Sequence, residues 1–157
     1  MAFLSKNELK SVIRENKVTH ISDHDDTIVE IAINAGITEV TSRIAPNHKK
    51  AWMDGRLKYD VAAIFKAEGS TRNPLILELT KVVALWHLIL RCNAGIHYEV
   101  IRDRYEAAVE YLKDLASGDA NDPTLPILEE PLDEHGNPIN AAKPFSTGSR
   151  PKFNHEF

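Results

Sequence analysis

The chain has 157 residues, 43% hydrophobic and 27% charged, which suits one soluble globular domain of ordinary size. Its formal charge of −4 lies wholly in the last quarter: residues 1–117 carry 16 basic and 16 acidic side chains, residues 118–157 carry 3 and 7. A neutral body gives no electrostatic support to stable binding of DNA or an anionic membrane, and a single cysteine, Cys92, excludes an internal disulfide and fits a reducing compartment.

In chain order, Ser5 and Glu8 have capping-box spacing, and Leu9, Val12 and Ile13 add a narrow apolar face, predicting a short helix over about Lys6–Glu15 with no secretory leader before it. In SDHDDT, Ser22 or Asp23 is expected to cap a second helix, with further acids in its first turn where the helix dipole favours them. That helix should run from about Asp25 to Ile44. Its polar stripe is Glu30, Asn34, Thr38 and Thr41, and its apolar arc is wider than one neighbouring helix needs. Either it packs deep in the monomer or one side meets another subunit.

Pro46 breaks the pattern, and residues 45–59 read as a loop with a turn at Asp54-Gly55. Asp60 is placed to cap a short helix, Val61–Glu68, closed by Gly69. The stretch around which the chain is arranged follows, NPLILELTKVVALWHLILRC at 73–92. Asn73 is a suitable N-cap, and Pro74 occupies the first helical position. Only Glu78, Lys81, His87 and Arg91 interrupt the apolar run, so this helix must be covered on several sides. It is too short and too charged for a membrane span.

The last helix places Tyr98, Ile101, Tyr105, Ala108, Val109, Leu112 and Leu115 on one face and ends at Ser117-Gly118. Beyond it, six of the eight prolines fall with no periodicity, so residues 119–157 read as an extended C-terminal arm beside a helical domain of residues 1–118. Three of the five phenylalanines, Phe145, Phe153 and Phe157, lie at its end with Arg150 and Lys152. These five are the candidate partner-binding anchors, because a tail selected for solubility alone has little use for aromatic side chains. Deletion of 119–157 is accordingly expected to leave a folded body.

Few residue patterns in the chain suggest chemistry. His20 and His24, beside Asp23, Asp25 and Asp26, could suggest a metal site, but capping and turn chemistry accounts for them at a helix start. His87 and Arg91 share a face and read as a hydrogen-bonded core or interface pair. Cys92 reads as a small buried hydrophobe. No GxSxG, HExxH, P-loop or GxGxxG pattern occurs, and no catalytic residue, cofactor or metal is expected. His48, Lys49, Lys50 and Trp52 form a short basic-aromatic stretch, read as a solvated loop.

The order of pieces resembles a known family. The strings DDTIVEIAINAGITEV, KYDVAAIFKAEG, NPLILELTKVVALWHLILRCNAG and RYEAAVEYLKDLASG, over about residues 3–118, are similar to head–tail connector (adaptor) proteins of tailed phages, of the kind found in Mu-like prophages. The resemblance implies an all-α subunit, a small bundle of four to five helices around a buried central helix with a long extended C-terminal arm. It also implies a twelvefold ring of copies beneath the portal protein, a docking surface for stopper or tail proteins, DNA passing without specific binding, and a place in the virion neck after assembly in the host cytoplasm. The arm would embrace the portal, and His48, Lys49, Lys50 and Trp52 would be subunit or channel-facing contacts. The arm and the 45–59 loop are longer than is usual in that family. The second class of function is a helical nucleic-acid-binding packaging or regulatory module, which requires a basic face.

Overall fold

In a computed structural model, residues 3–45, 57–91, 98–129 and 134–135 are described. The described residues form five α-helices, two short 3-10 turns and one isolated β-bridge, with no strand among them. The all-α expectation holds.

The N-terminal turn starts as the Ser5–Glu8 spacing dictates. Ser5 donates to the Glu8 carboxylate from its backbone N (2.9 Å) and from its hydroxyl (2.9 Å). The resulting element is a 3-10 turn, Lys6–Ser11, rather than an α-helix reaching Glu15. A separate helix, α1 (Glu15–Ile21), follows it, over a stretch to which the sequence pattern assigns no element beyond Glu15. It buries only Val18 and Ile21, too few positions to declare a period in sequence. It stops at Ser22 because Asp23 and His24 both turn left-handed, with φ of 51° and 62°. The cap of the next helix is therefore Asp25, not Ser22 or Asp23: its Oδ1 accepts from Thr27 N at 2.8 Å.

Helix α2 (Asp26–Ile44) lies against the central helix, α4 (Pro74–Ile89), in the most extensive contact of the fold. Gly36 permits it. A Cβ there would stand 2.8 Å from the Ala84 Cα, so the two backbones cross at a distance only glycine tolerates. Of the two readings of the wide apolar arc, deep packing describes most of α2: Val29, Ala32, Ile33, Val40 and Ile44 are buried, and Ile31 is its exposed large apolar residue.

Asp60 caps α3 (Val61–Lys66) by accepting from Ala63 N at 2.9 Å. Gly69, expected to close that helix, instead opens the 3-10 turn Gly69–Thr71 at φ +56°. Asn73 Oδ1 caps α4 through Leu75 N and Ile76 N, with Pro74 at the first helical position. Ile76, Val83, Ala84, Leu85, Leu88 and Ile89 of α4 are buried together. Even Lys81 is buried, its ammonium donating to Ser11 Oγ (3.0 Å) and Glu78 Oε2 (3.3 Å). Helix α5 (Tyr98–Ser117) completes the bundle, turning Ile101, Ala108, Val109, Leu112 and Leu115 inward.

Past Gly118 the chain does not leave the body at once. Leu125 is buried, and Tyr59 pairs with Ile127 in an antiparallel bridge. Asp60 N donates to Pro126 O (2.9 Å) and Leu128 N to Lys58 O (2.7 Å). The helical body thus includes residues up to 128, ten beyond the boundary read from composition.

Candidate functional site

Two polar assemblies knit the helices. The first is centred on Glu39 of α2. Its Oε1 accepts from Arg43 Nε (2.9 Å) and Nη2 (2.5 Å), one turn on, and from Tyr105 Oη (2.8 Å) on α5. Its Oε2 lies 2.8 Å from His87 Nε2 on α4. Burial raises the Glu39 pKa, but hydrogen bonds from Arg43, Tyr105 and His87 outweigh it and hold the pKa below the usual value. The group is therefore a carboxylate, which can only accept, so His87 presents a protonated Nε2. Burial, and then the hydrogen bond to Glu39 and its charge, push the Tyr105 hydroxyl's pKa upward, keeping it a donor.

The Tyr105 ring stacks on Trp86 (centroids 5.0 Å apart, 15° between planes), and Trp86 also meets Tyr98 at 5.2 Å. Three helices are thus pinned at one carboxylate beneath an aromatic stack. Among the described residues, Arg43, Tyr105 and His87 are the side chains that meet the Glu39 carboxylate. The arrangement orients helices.

The second assembly holds residues 119–128. Asp122 N donates to Tyr59 Oη (3.0 Å), while Asn73, besides capping α4, donates through Nδ2 to Asp122 Oδ2 (3.0 Å) and Thr124 Oγ1 (2.7 Å). Burial raises the Asp122 pKa, and bonds from Thr124 and Asn73 more than offset it, leaving it lowered. One asparagine thereby joins the start of the central helix to the segment after the last helix.

The sequence-derived candidates fare unevenly. His87 pairs with Glu39 rather than Arg91. The histidine–aspartate stretch is spent on structure: Asp25 caps α2, Asp26 pairs with Lys6, and His24 sits in the left-handed turn. Among the described residues no group of three or more His, Cys, Asp or Glu converges as a metal-ligand set, and no described helix is long and apolar enough to cross a membrane. His48, Lys49, Lys50, Trp52, Cys92, Phe145, Arg150, Lys152, Phe153 and Phe157 lie outside the described residues.

Glu39, Tyr105, Tyr59 and Asp122 escaped the sequence reading. The spacing of Glu39 and Arg43, an i,i+4 pair on α2, was the one local signal for the first network. Comparison with family models, with curated proteins and with solved structures found no match to the chain.

Proposed function

We propose that this chain is a structural head–tail adaptor of a tailed bacteriophage, without catalysis, which forms a ring under the portal in the virion neck. In this reading the ring extends the DNA channel and docks stopper or tail proteins, while DNA slides past a body that has no excess of positive charge to grip it, with 16 basic and 18 acidic side chains over residues 1–128. The sequence likeness over residues 3–118 motivates the reading.

The observation that carries it is the clamp at 119–128. Tyr59, Asn73 and Asp122 fix residues 119–128, which lead in sequence into the proline-rich stretch, against the helical body. Ile127 (51% exposed) and Leu128 (37%) present apolar side chains at that point. An arm launched from a fixed anchor reaches a partner with less entropy to lose than one hinged freely, and its aromatic residues supply the burial that offsets the rest.

The clamp also moves the informative cut. Removing 119–157 strips Leu125 and the Tyr59 bridge from the body, so the clean test is a chain ending at Glu129. That chain should fold but no longer join portal-bearing heads in an electron-microscopy attachment assay. Among single changes, Phe145→Ala, Phe153→Ala and Phe157→Ala should identify anchors by losses of about 2 kcal/mol or more in binding. Attachment of the shortened chain as efficient as that of the full chain would end the adaptor-arm reading.

A further inference from the structure

A groove of about 420 Å³ opens where the N-terminal turn, α1, α4 and α5 meet. Its floor is apolar, formed by Val12, Ile13, Leu85, Val100 and Ile101. Leu85 and Ile101 are buried beneath it, and Val100 stands 51% exposed at its edge. The rim is basic: Arg14 and Lys17 come from the start of α1 and Arg104 from α5. Elsewhere Lys6, Lys10, Arg43, Arg72, Lys81 and Arg102 each pair with an acid, while Lys66, Arg91 and Lys113 stand apart from one another, on α3, just past α4 and on α5. The cations of Arg14, Lys17 and Arg104 have no partner among the described residues. At this groove three such cations converge on one apolar trough, although the body as a whole, residues 1–128, carries 16 basic and 18 acidic side chains.

The complementary chemistry is in the same chain. Residues 127–135, ILEEPLDEH, carry Glu129, Glu130, Asp133 and Glu134 with no lysine or arginine, interleaved with Leu128 and Leu132. The clamp holds the start of this stretch at the surface, with Ile127 and Leu128 exposed. Glu129 and Glu134 are also exposed, and neither lines the groove of its own molecule.

We propose that the groove rimmed by Arg14, Lys17 and Arg104 receives the acidic, leucine-bearing segment 129–134 of a second copy of this chain. The Leu132 side chain enters the apolar floor while the carboxylates meet the three cations on the rim. The contact joins two different surfaces, so it is heterologous, the kind that propagates head to tail and closes into a ring when the rotation allows. The inference deepens the adaptor reading and rests on it only for self-association.

Sedimentation velocity on the purified full chain tests it without heads or portal, so the two readings fail separately. The wild-type chain should associate, with the dissociation constant rising about tenfold or more between roughly 0.05 and 0.3 M salt as the charges are screened. A groove-reversed chain (R14E, K17E and R104E) and a segment-reversed chain (E129K, E130K, D133K and E134K) should each remain monomeric, with unchanged helical circular dichroism. Mixed in equal amounts they should associate again, because each offers the surface the other can use. A wild-type chain monomeric at every concentration overturns the proposal. So does a groove-reversed chain that associates normally, or a mixture that stays monomeric.

Discussion

Glu8 serves two parts of the fold at once. Besides the Ser5 cap, its Oε1 accepts from Arg72 Nη2 at 2.5 Å, and Arg72 also donates to Phe3 O at 2.7 Å. The Arg72 hydrogen bond, opposed by burial and aided by Ser5, lowers the Glu8 pKa from 4.5 to about 2. The folded chain therefore binds fewer protons than the unfolded chain between those values. The stability this group contributes is complete above about pH 4.5 and drains away as pH falls toward 2. In urea titrations at a series of pH values, Glu8→Gln should be less stable than the parent at neutral pH, and the difference should shrink as the solution is acidified through that window. A gap that stays constant with pH would mean that Arg72 does not set the Glu8 proton affinity. Half of this site was legible, because Ser5 and Glu8 sit three apart; Arg72 is 64 positions away and left no local trace.

Among the helices, α4 was the most legible element, since its cap, its N1 proline and its apolar run all point to one answer. What no pattern declares is how closely a neighbour approaches. Gly36 reads in sequence as a weak spot in a helix, yet it is where α2 touches the Ala84 backbone. Gly36→Ala raises intrinsic helix propensity by about 1 kcal/mol, but its methyl must force the helices apart. The clash should prevail, with a net loss of about 1–3 kcal/mol read as a lower denaturant midpoint. A stabilised variant would show that the α2–α4 crossing is looser than this. Helix α1 was missed for the opposite reason: seven residues with two buried positions make no period, and its end depends on two left-handed residues rather than on glycine or proline. The Glu39 network was half visible as the Glu39–Arg43 pair, while His87 and Tyr105 lie 48 and 66 residues along the chain.

For the molecule as a whole, composition placed the boundary of the body at Gly118, because prolines begin and periodicity ends there. Packing places it at Leu128, through one buried leucine and one bridge too short to register as a strand pattern. Two truncations separate these boundaries. Ending the chain at Glu129 should leave the denaturant midpoint close to that of the full chain. Ending it at Gly118 should cost about 2–4 kcal/mol, mostly from the lost Leu125 side chain and the unpaired Tyr59 and Asn73 groups. Equal midpoints would show that residues 119–128 only rest on the surface. The Tyr59–Asp122 bond closes a loop of 63 residues, which sets an order of events. As the polypeptide emerges from a ribosome, its core cannot be sealed until residues 119–128 have been made, and the acidic stretch follows directly behind them. Each newborn copy therefore finishes its own interior just before it exposes the piece another copy could seize, a timing that disfavours premature clumping of half-made chains.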